Sequence, residues 1–305
     1  MTPPPSGAAP TGGGEAELRR GTAYAFLAYG IWGMFPLYFA ALEPSGAWEI
    51  LAHRILWTLA VVALVLLVRR DLAWIRPFLS RPRLVAGITL AALLIAGNWV
   101  VYVLAVLTGR TYEAALGYFL NPIVTVGLGV LVLGERLRRL QWAAVAVGAV
   151  AAVYLTVAGG VLPWISLSLA FSFGLYGLMR KTAALGALEG LTLETLLLAP
   201  PAIALLAWWT WQGSGGLAHD GTTLAWLIGL GPMTSVPLLL FAAGARRISL
   251  ATLGVLQYVS PTIQLALGLW VFGESLSGDR LVGFTLTWLA LAVFSVEGWL
   301  HARRR

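Results

Sequence analysis

Leu120-Asn121-Pro122 is followed by Val132-Leu133-Gly134-Glu135, and Val259-Ser260-Pro261 is followed by Val271-Phe272-Gly273-Glu274. Proline and glutamate stand the same 13 residues apart in both copies (135−122 and 274−261). The flanks differ. Arg136-Leu137-Arg138-Arg139 follows the first glutamate, and Ser275-Leu276-Ser277-Gly278 follows the second. Basic loops stay on the cytoplasmic side of a membrane. One unit therefore ends inside and its copy ends outside, the pattern of an inverted repeat.

The composition requires lipid as the solvent. Of the 305 residues, 59% are hydrophobic and only 11% charged, and mean hydropathy is +0.83; a soluble domain carries about 25% charged residues. Cysteine is absent, which excludes disulfides and thiolate metal sites. A net charge of +7 would suggest nucleic acid in a soluble protein, but here the arginines serve as topology signals and no nucleic-acid partner is expected.

A spanning helix needs about 20 apolar residues. Ten such segments are read: 21–42, 47–68, 83–107, 112–133, 140–159, 162–180, 189–212, 223–244, 250–272 and 280–300. With a cytoplasmic N-terminus, 17 of the 20 basic residues fall on the inside, only Arg110 and Arg280 fall outside, and Arg54 lies within a span. Both termini are therefore expected in the cytoplasm. The fold class expected is an all-α integral membrane protein of ten transmembrane helices in two inverted five-helix repeats, 21–160 and 161–301. A Pro-, Gly- and Ala-rich arm over 1–20 reads as disordered. It lacks the basic start and cleavage site of a signal peptide.

Interior proline leaves a carbonyl unpaired, and in lipid that carbonyl needs a protein or water partner. Pro122 and Pro261 at matching depth therefore point to a shared polar centre, although membrane helices also kink at proline for packing alone. Gly117, Asn121 and Thr125 recur every four residues on one face. Gln257, Ser260, Pro261, Gln264 and Gly268 make a similar face, and Asn98 and Tyr102 a third. Amides at this depth point inward, either to line a cavity or to bond between helices. Tyr118, Trp32 and Tyr176 are candidates to stack on a flat or apolar substrate.

Intramembrane ionisable residues are few. Arg54 either neutralises an anionic group or pairs with helix-end carbonyls. Glu194 sits at a comparable depth from the other end, and the two read as counterparts across the repeat rather than as a salt bridge. His53 is either a carrier of a coupling proton or, more commonly for a lone histidine, a packing residue. Glu49 and Glu113 open helices, where the dipole favours acids. Glu135 and Glu274 suggest a structural role at the turns. The only histidines, His53, His219 and His301, fall in different regions, so no catalytic or metal cluster and no cofactor is expected. No G-x-x-x-x-G-K-[ST] stretch is present.

These residues resemble the EamA branch of the drug/metabolite transporter superfamily, and within it the RarD-type permeases. The resemblance is carried by Glu49-Ile50-Leu51-Ala52-His53-Arg54, Gly97-Asn98-Trp99, Glu113 through Pro122, Gly134-Glu135-Arg136 with Gln141-Trp142, Ala170 through Leu178, Glu194-Thr195-Leu196 and Gln257 through Thr262. It covers nearly all of 21–300. It implies a ten-helix carrier of the bacterial inner membrane whose first, third, fourth, sixth, eighth and ninth helices surround the pathway. Relatives move amino acids, sugars, nucleotide-linked compounds and drugs, so the family does not select a substrate.

The function expected is secondary transport, exporting small metabolites or drug-like solutes by alternating access. The expected partners are the bilayer, a small-molecule substrate and a coupling proton or ion. The nearly apolar fifth and tenth spans read as packing surfaces or as surfaces for a homodimer. The alternative reading is a non-transporting membrane sensor or assembly protein.

Overall fold

The computed structural model describes residues 12–42, 45–70, 74–75, 80–108, 110–159 and 164–273, with scattered positions from 278 to 296. All regular structure among the described residues is helical: α1 Gly12–Gly33, α2 Phe35–Ala40, α3 Ala47–Arg69, α4 Pro82–Leu107, α5 Thr111–Leu131, α6 Arg139–Gly159, α7 Trp164–Thr182, α8 Ala187–Gln212, α9 Gly221–Ala245, α10 Leu250–Leu256 and α11 Val259–Trp270. Among the described residues six stretches are long and apolar enough to cross a membrane: α1 with α2, α3, α4, α8, α9, and α10 with α11. Most of 280–300 lies outside the described residues, as do the Glu113 side chain, Glu274, Arg280, His301 and the last three arginines.

The helices end at two poles. Glu17 and Arg247, Lys181 and Glu135, and Arg246 and the Leu185 carbonyl meet at one. Glu49 and His219, Tyr38 and the Trp226 carbonyl, and Arg110 and the Trp164 ring meet at the other. The first is the arginine-rich pole. Of the arm expected to be disordered over 1–20, residues 12–20 belong to α1, and residues 1–11 lie outside the described residues. Glu17 anchors α1 at that pole, accepting from Arg247 Nε at 2.8 Å.

Two expected spans are broken. Pro36, in the first turn of α2, cannot donate to the carbonyl four residues earlier, and the first span divides at Met34. That carbonyl, on Trp32, accepts instead from Gln264 Nε2 at 3.3 Å. The ninth span divides at Gln257 and Tyr258, which places Pro261 in the first turn of α11, where a missing N–H costs nothing. By contrast, α5 runs unbroken through Pro122. After these spans Gly134 and Gly273 both turn left-handed, with φ of +66° and +65°, a conformation glycine adopts without steric cost.

The most extensive helix contacts join residues before 160 to residues after it: α5 with α7, α3 with α8 and α9, α1 with α9, α4 with α7, and α5 with α10. The two halves of the chain are interleaved. Close backbone approach makes this possible. A Cβ on Gly231 of α9 would lie 2.6 Å from the Trp57 carbonyl oxygen of α3, whereas one on Gly30 would meet nothing within 4 Å. Leu64, Leu93, Val150, Val153 and Val157 face outward, as lipid contact requires.

Gly231→Ala should therefore destabilise the protein by about 1–3 kcal/mol, because backbone atoms cannot rotate away. Gly30→Ala should leave thermal unfolding in detergent unchanged or raise the midpoint. Equal losses in both variants would contradict this packing.

Candidate functional site: a polar cavity between the halves

A cavity of about 190 Å³ lies within the bundle. Its wall carries Asn98 and Tyr102 from α4, Tyr118 and Asn121 from α5, Gln257 from the α10–α11 break, Gln264 from α11 and Arg54 from α3. Sequence reasoning expected six of these in a cavity and Arg54 in charge handling. Tyr118 keeps 37% of its surface accessible, and that surface faces this space.

Most of the polar groups also hold helices together, so the two readings left open for the amides both apply. Asn98 Nδ2 donates to the Leu169 carbonyl at 3.0 Å and to Ser172 Oγ at 2.9 Å. Thr125 Oγ1 donates to Gln257 Oε1 at 3.4 Å. One buried atom on the wall, Asn121 Oδ1, has no partner among the described residues. A buried polar group without a partner costs about 1–3 kcal/mol, a cost that a ligand or water would relieve.

Toward the arginine-rich pole an aromatic layer closes the cavity. Tyr29, Trp32 and Phe173 line it. Tyr176 and Phe241 lie behind them, stacked at 6.0 Å with 10° between the rings and each only 1% exposed. Tyr176, expected on the wall, is thus placed one layer deeper, where its hydroxyl donates to Glu194 Oε2 at 3.1 Å. Pro122 also leaves the wall and faces a separate apolar crevice with Val126, Ala144 and Tyr258. Pro261 is buried within α11. The wall residues missed in sequence include Tyr29, Phe35, Pro36, Phe39, Ile95, Leu169 and Leu238. Pro36 was the available signal for a broken first span.

Comparison with known proteins follows this geometry. RarD of Streptomyces exfoliatus is 46% identical over 291 residues, 95% of this chain and 92% of its own length. The uncharacterized transporter YojE of Bacillus subtilis is 41% identical, over 92% of this chain and 95% of its own. RarD of Escherichia coli is 37% identical, over 95% and 98% respectively. The chain belongs to the RarD family. No family model matches it. One crystal structure superimposes with a TM-score of 0.66, over 90% of this chain and 97% of its own length, at 22% identity, which speaks for the fold alone. The apolar helices and the bacterial relatives make this RarD-family chain a multi-pass bacterial membrane protein.

The remaining ionisable candidates lie off the wall. Glu194 is not a free counterpart of Arg54. It accepts from Arg180 Nη1 at 3.2 Å, with both side chains 1% exposed. Arg180, read in sequence as a loop charge, reaches inward from the end of α7, and its Nη2 also donates to the Ala187 carbonyl at 3.0 Å. The pair fastens the α7–α8 turn.

His53 and His219, expected apart, meet one small network at the opposite pole. Glu49 accepts from the Gly216 N–H and pairs with His219 Nε2 at 2.9 Å. Glu49 therefore does more than favour a helix dipole: it ties α3 to the α8–α9 connection. His53 Nδ1 accepts from Trp57 Nε1 at 2.9 Å, which leaves Nε2 to carry the proton and donate to the Gly216 carbonyl at 3.1 Å. Both ring nitrogens are occupied and the side chain is fully buried. A second proton on Nδ1 would have to displace the Trp57 donor, and the two hydrogen bonds are those of a packing residue. Among the described residues no group of three His, Asp or Glu is placed to hold a metal ion.

Arg180→Ala should cost about 3–5 kcal/mol by leaving Glu194 buried and unpaired. Arg180→Ala with Glu194→Ala should lose less than the two single losses combined, read from thermal unfolding midpoints. Strict additivity would mean that the pair does not interact.

Proposed function

We propose that this protein is a secondary transporter that moves a small organic solute across the bacterial inner membrane by alternating access. The observation that carries the proposal is the polar cavity walled by helices from both halves and closed at one end by the Tyr29–Trp32–Phe173–Tyr176–Phe241 layer. In this reading the arginine-rich pole and both termini face the cytoplasm, following the distribution of basic residues. Units 21–160 and 161–301 form inverted repeats of five spans each. Rocking of the repeats against each other would open the aromatic layer and close the opposite side.

The relatives named as transporters support the carrier reading. The direction proposed is export of metabolites or drug-like solutes. Energy would come from a proton or ion gradient or from solute exchange, since the sequence carries no nucleotide-binding loop.

The first test is thermal stabilisation of the purified protein by a panel of amino acids, sugars, nucleosides and amphenicols, followed by counterflow of any stabilising solute in proteoliposomes. A solute that stabilises the protein and exchanges across the bilayer, with both effects lost in Asn121→Ala and Gln257→Ala, is the expected result. Stabilisation that survives both substitutions, without exchange, would instead favour a sensor or assembly role.

A further inference from the structure

Resting on the carrier reading, we infer that the substrate is a flat organic monoanion, an aromatic carboxylate, held through Arg54.

Among the described residues Arg54 is the one charged side chain on the cavity wall, and no carboxylate pairs with it. Its surroundings replace a counter-ion only in part. The guanidinium carbon lies 4.7 Å from the centre of the Trp99 ring and 5.8 Å from that of Phe35. Nε donates to Thr234 Oγ1 at 3.2 Å. The rings attract the cation without accepting its in-plane N–H groups, and the one hydrogen bond of the Arg54 side chain among the described residues is from Nε, so what remains for a ligand is the pair of Nη groups. That pair is a planar fork of donors matched to a carboxylate.

Charge and shape then limit the ligand. One uncompensated cation in a water-poor space favours one negative charge, because a second would be buried without a partner. A phosphate monoester or a dicarboxylate is therefore disfavoured. Trp32, Phe173 and Trp99 offer ring surfaces for a flat apolar body, and Asn121 Oδ1 has no partner of its own. It would accept from an N–H or O–H group on the substrate. Arg54 would thus act as a specificity-determining binding residue, and its pairing with helix-end carbonyls, an alternative left open by the sequence, is not what the geometry shows.

The test measures stabilisation and equilibrium binding of the detergent-purified full chain with matched acids and amides: benzoate and benzamide, salicylate and salicylamide, indole-3-acetate and indole-3-acetamide, with acetate as the charge-only probe. The expected result is that at least one acid binds roughly tenfold or more tightly than its own amide, the scale of a hydrogen bond to a charged group, and more tightly than acetate. Arg54→Gln should bring that acid down to the level of its amide. The acid-to-amide ratio of the unaltered protein decides the matter even if Arg54→Gln does not fold. Equal binding of acids and amides, binding of acetate as tight as that of the aromatic acids, or no saturable binding of any acid at millimolar concentration overturns the inference. If neutral solutes bind and lose binding in Asn121→Ala, the carrier reading stands and only the anion assignment falls.

Discussion

Inside a bilayer a polar group must find its partner within the protein or in a water-lined cavity, and in this chain most side-chain hydrogen bonds between distant segments join one half to the other. The Trp32 carbonyl freed by Pro36 is met by Gln264. Asn98 holds Leu169 and Ser172, and Thr125 holds Gln257. Glu135 accepts the N–H groups of Leu250 and Ala251 at 2.8 and 3.1 Å and so caps α10. Glu49 holds the turn at Gly216. In lipid, helices associate through van der Waals packing together with interhelical hydrogen bonds. These polar bonds add to close packing in specifying which helix lies against which.

The same constraint gives the cavity its character. Where charges are paired, as at Arg180 and Glu194, the structure is fastened. At Arg54 and Asn121, by contrast, bonding capacity is left unfilled among the described residues, beside aromatic walls. A carrier needs both kinds of site. Within the aromatic layer Trp32, Phe173 and Phe241 touch through rings 5.3–5.8 Å apart, contacts that involve no hydrogen bond between these rings. The Glu135 cap at the arginine-rich pole is different: the alternation proposed above would have to release its two charged hydrogen bonds in order to part α10 from Glu135.

Much of this was legible in the sequence, for physical reasons. Apolar length located the helices, and helical spacing placed Asn98, Tyr102, Tyr118, Asn121, Gln257 and Gln264 on faces that do meet. What sequence could not supply was the third dimension. Nothing in spacing tells that Arg180 turns inward to Glu194, that Tyr176 stands behind the wall, or that Glu49 is a latch for a loop more than 160 residues away. Pairings between distant segments depend on how helices cross, and that is decided by close approaches such as Gly231 on Trp57. The break at Met34 is a different case: Pro36 announced it, but an apolar run of sufficient length masked the signal.

The most direct test of alternating access exploits the absence of cysteine from the chain. Single cysteines at Asn121 and Gln257, and a lipid-facing control at Val150, would be probed with a membrane-impermeant maleimide applied separately to each face of oriented vesicles. The account predicts that the two cavity positions are modified from both faces and the Val150 position from neither. Modification of the cavity positions from one face only under every condition, or from neither, would contradict it.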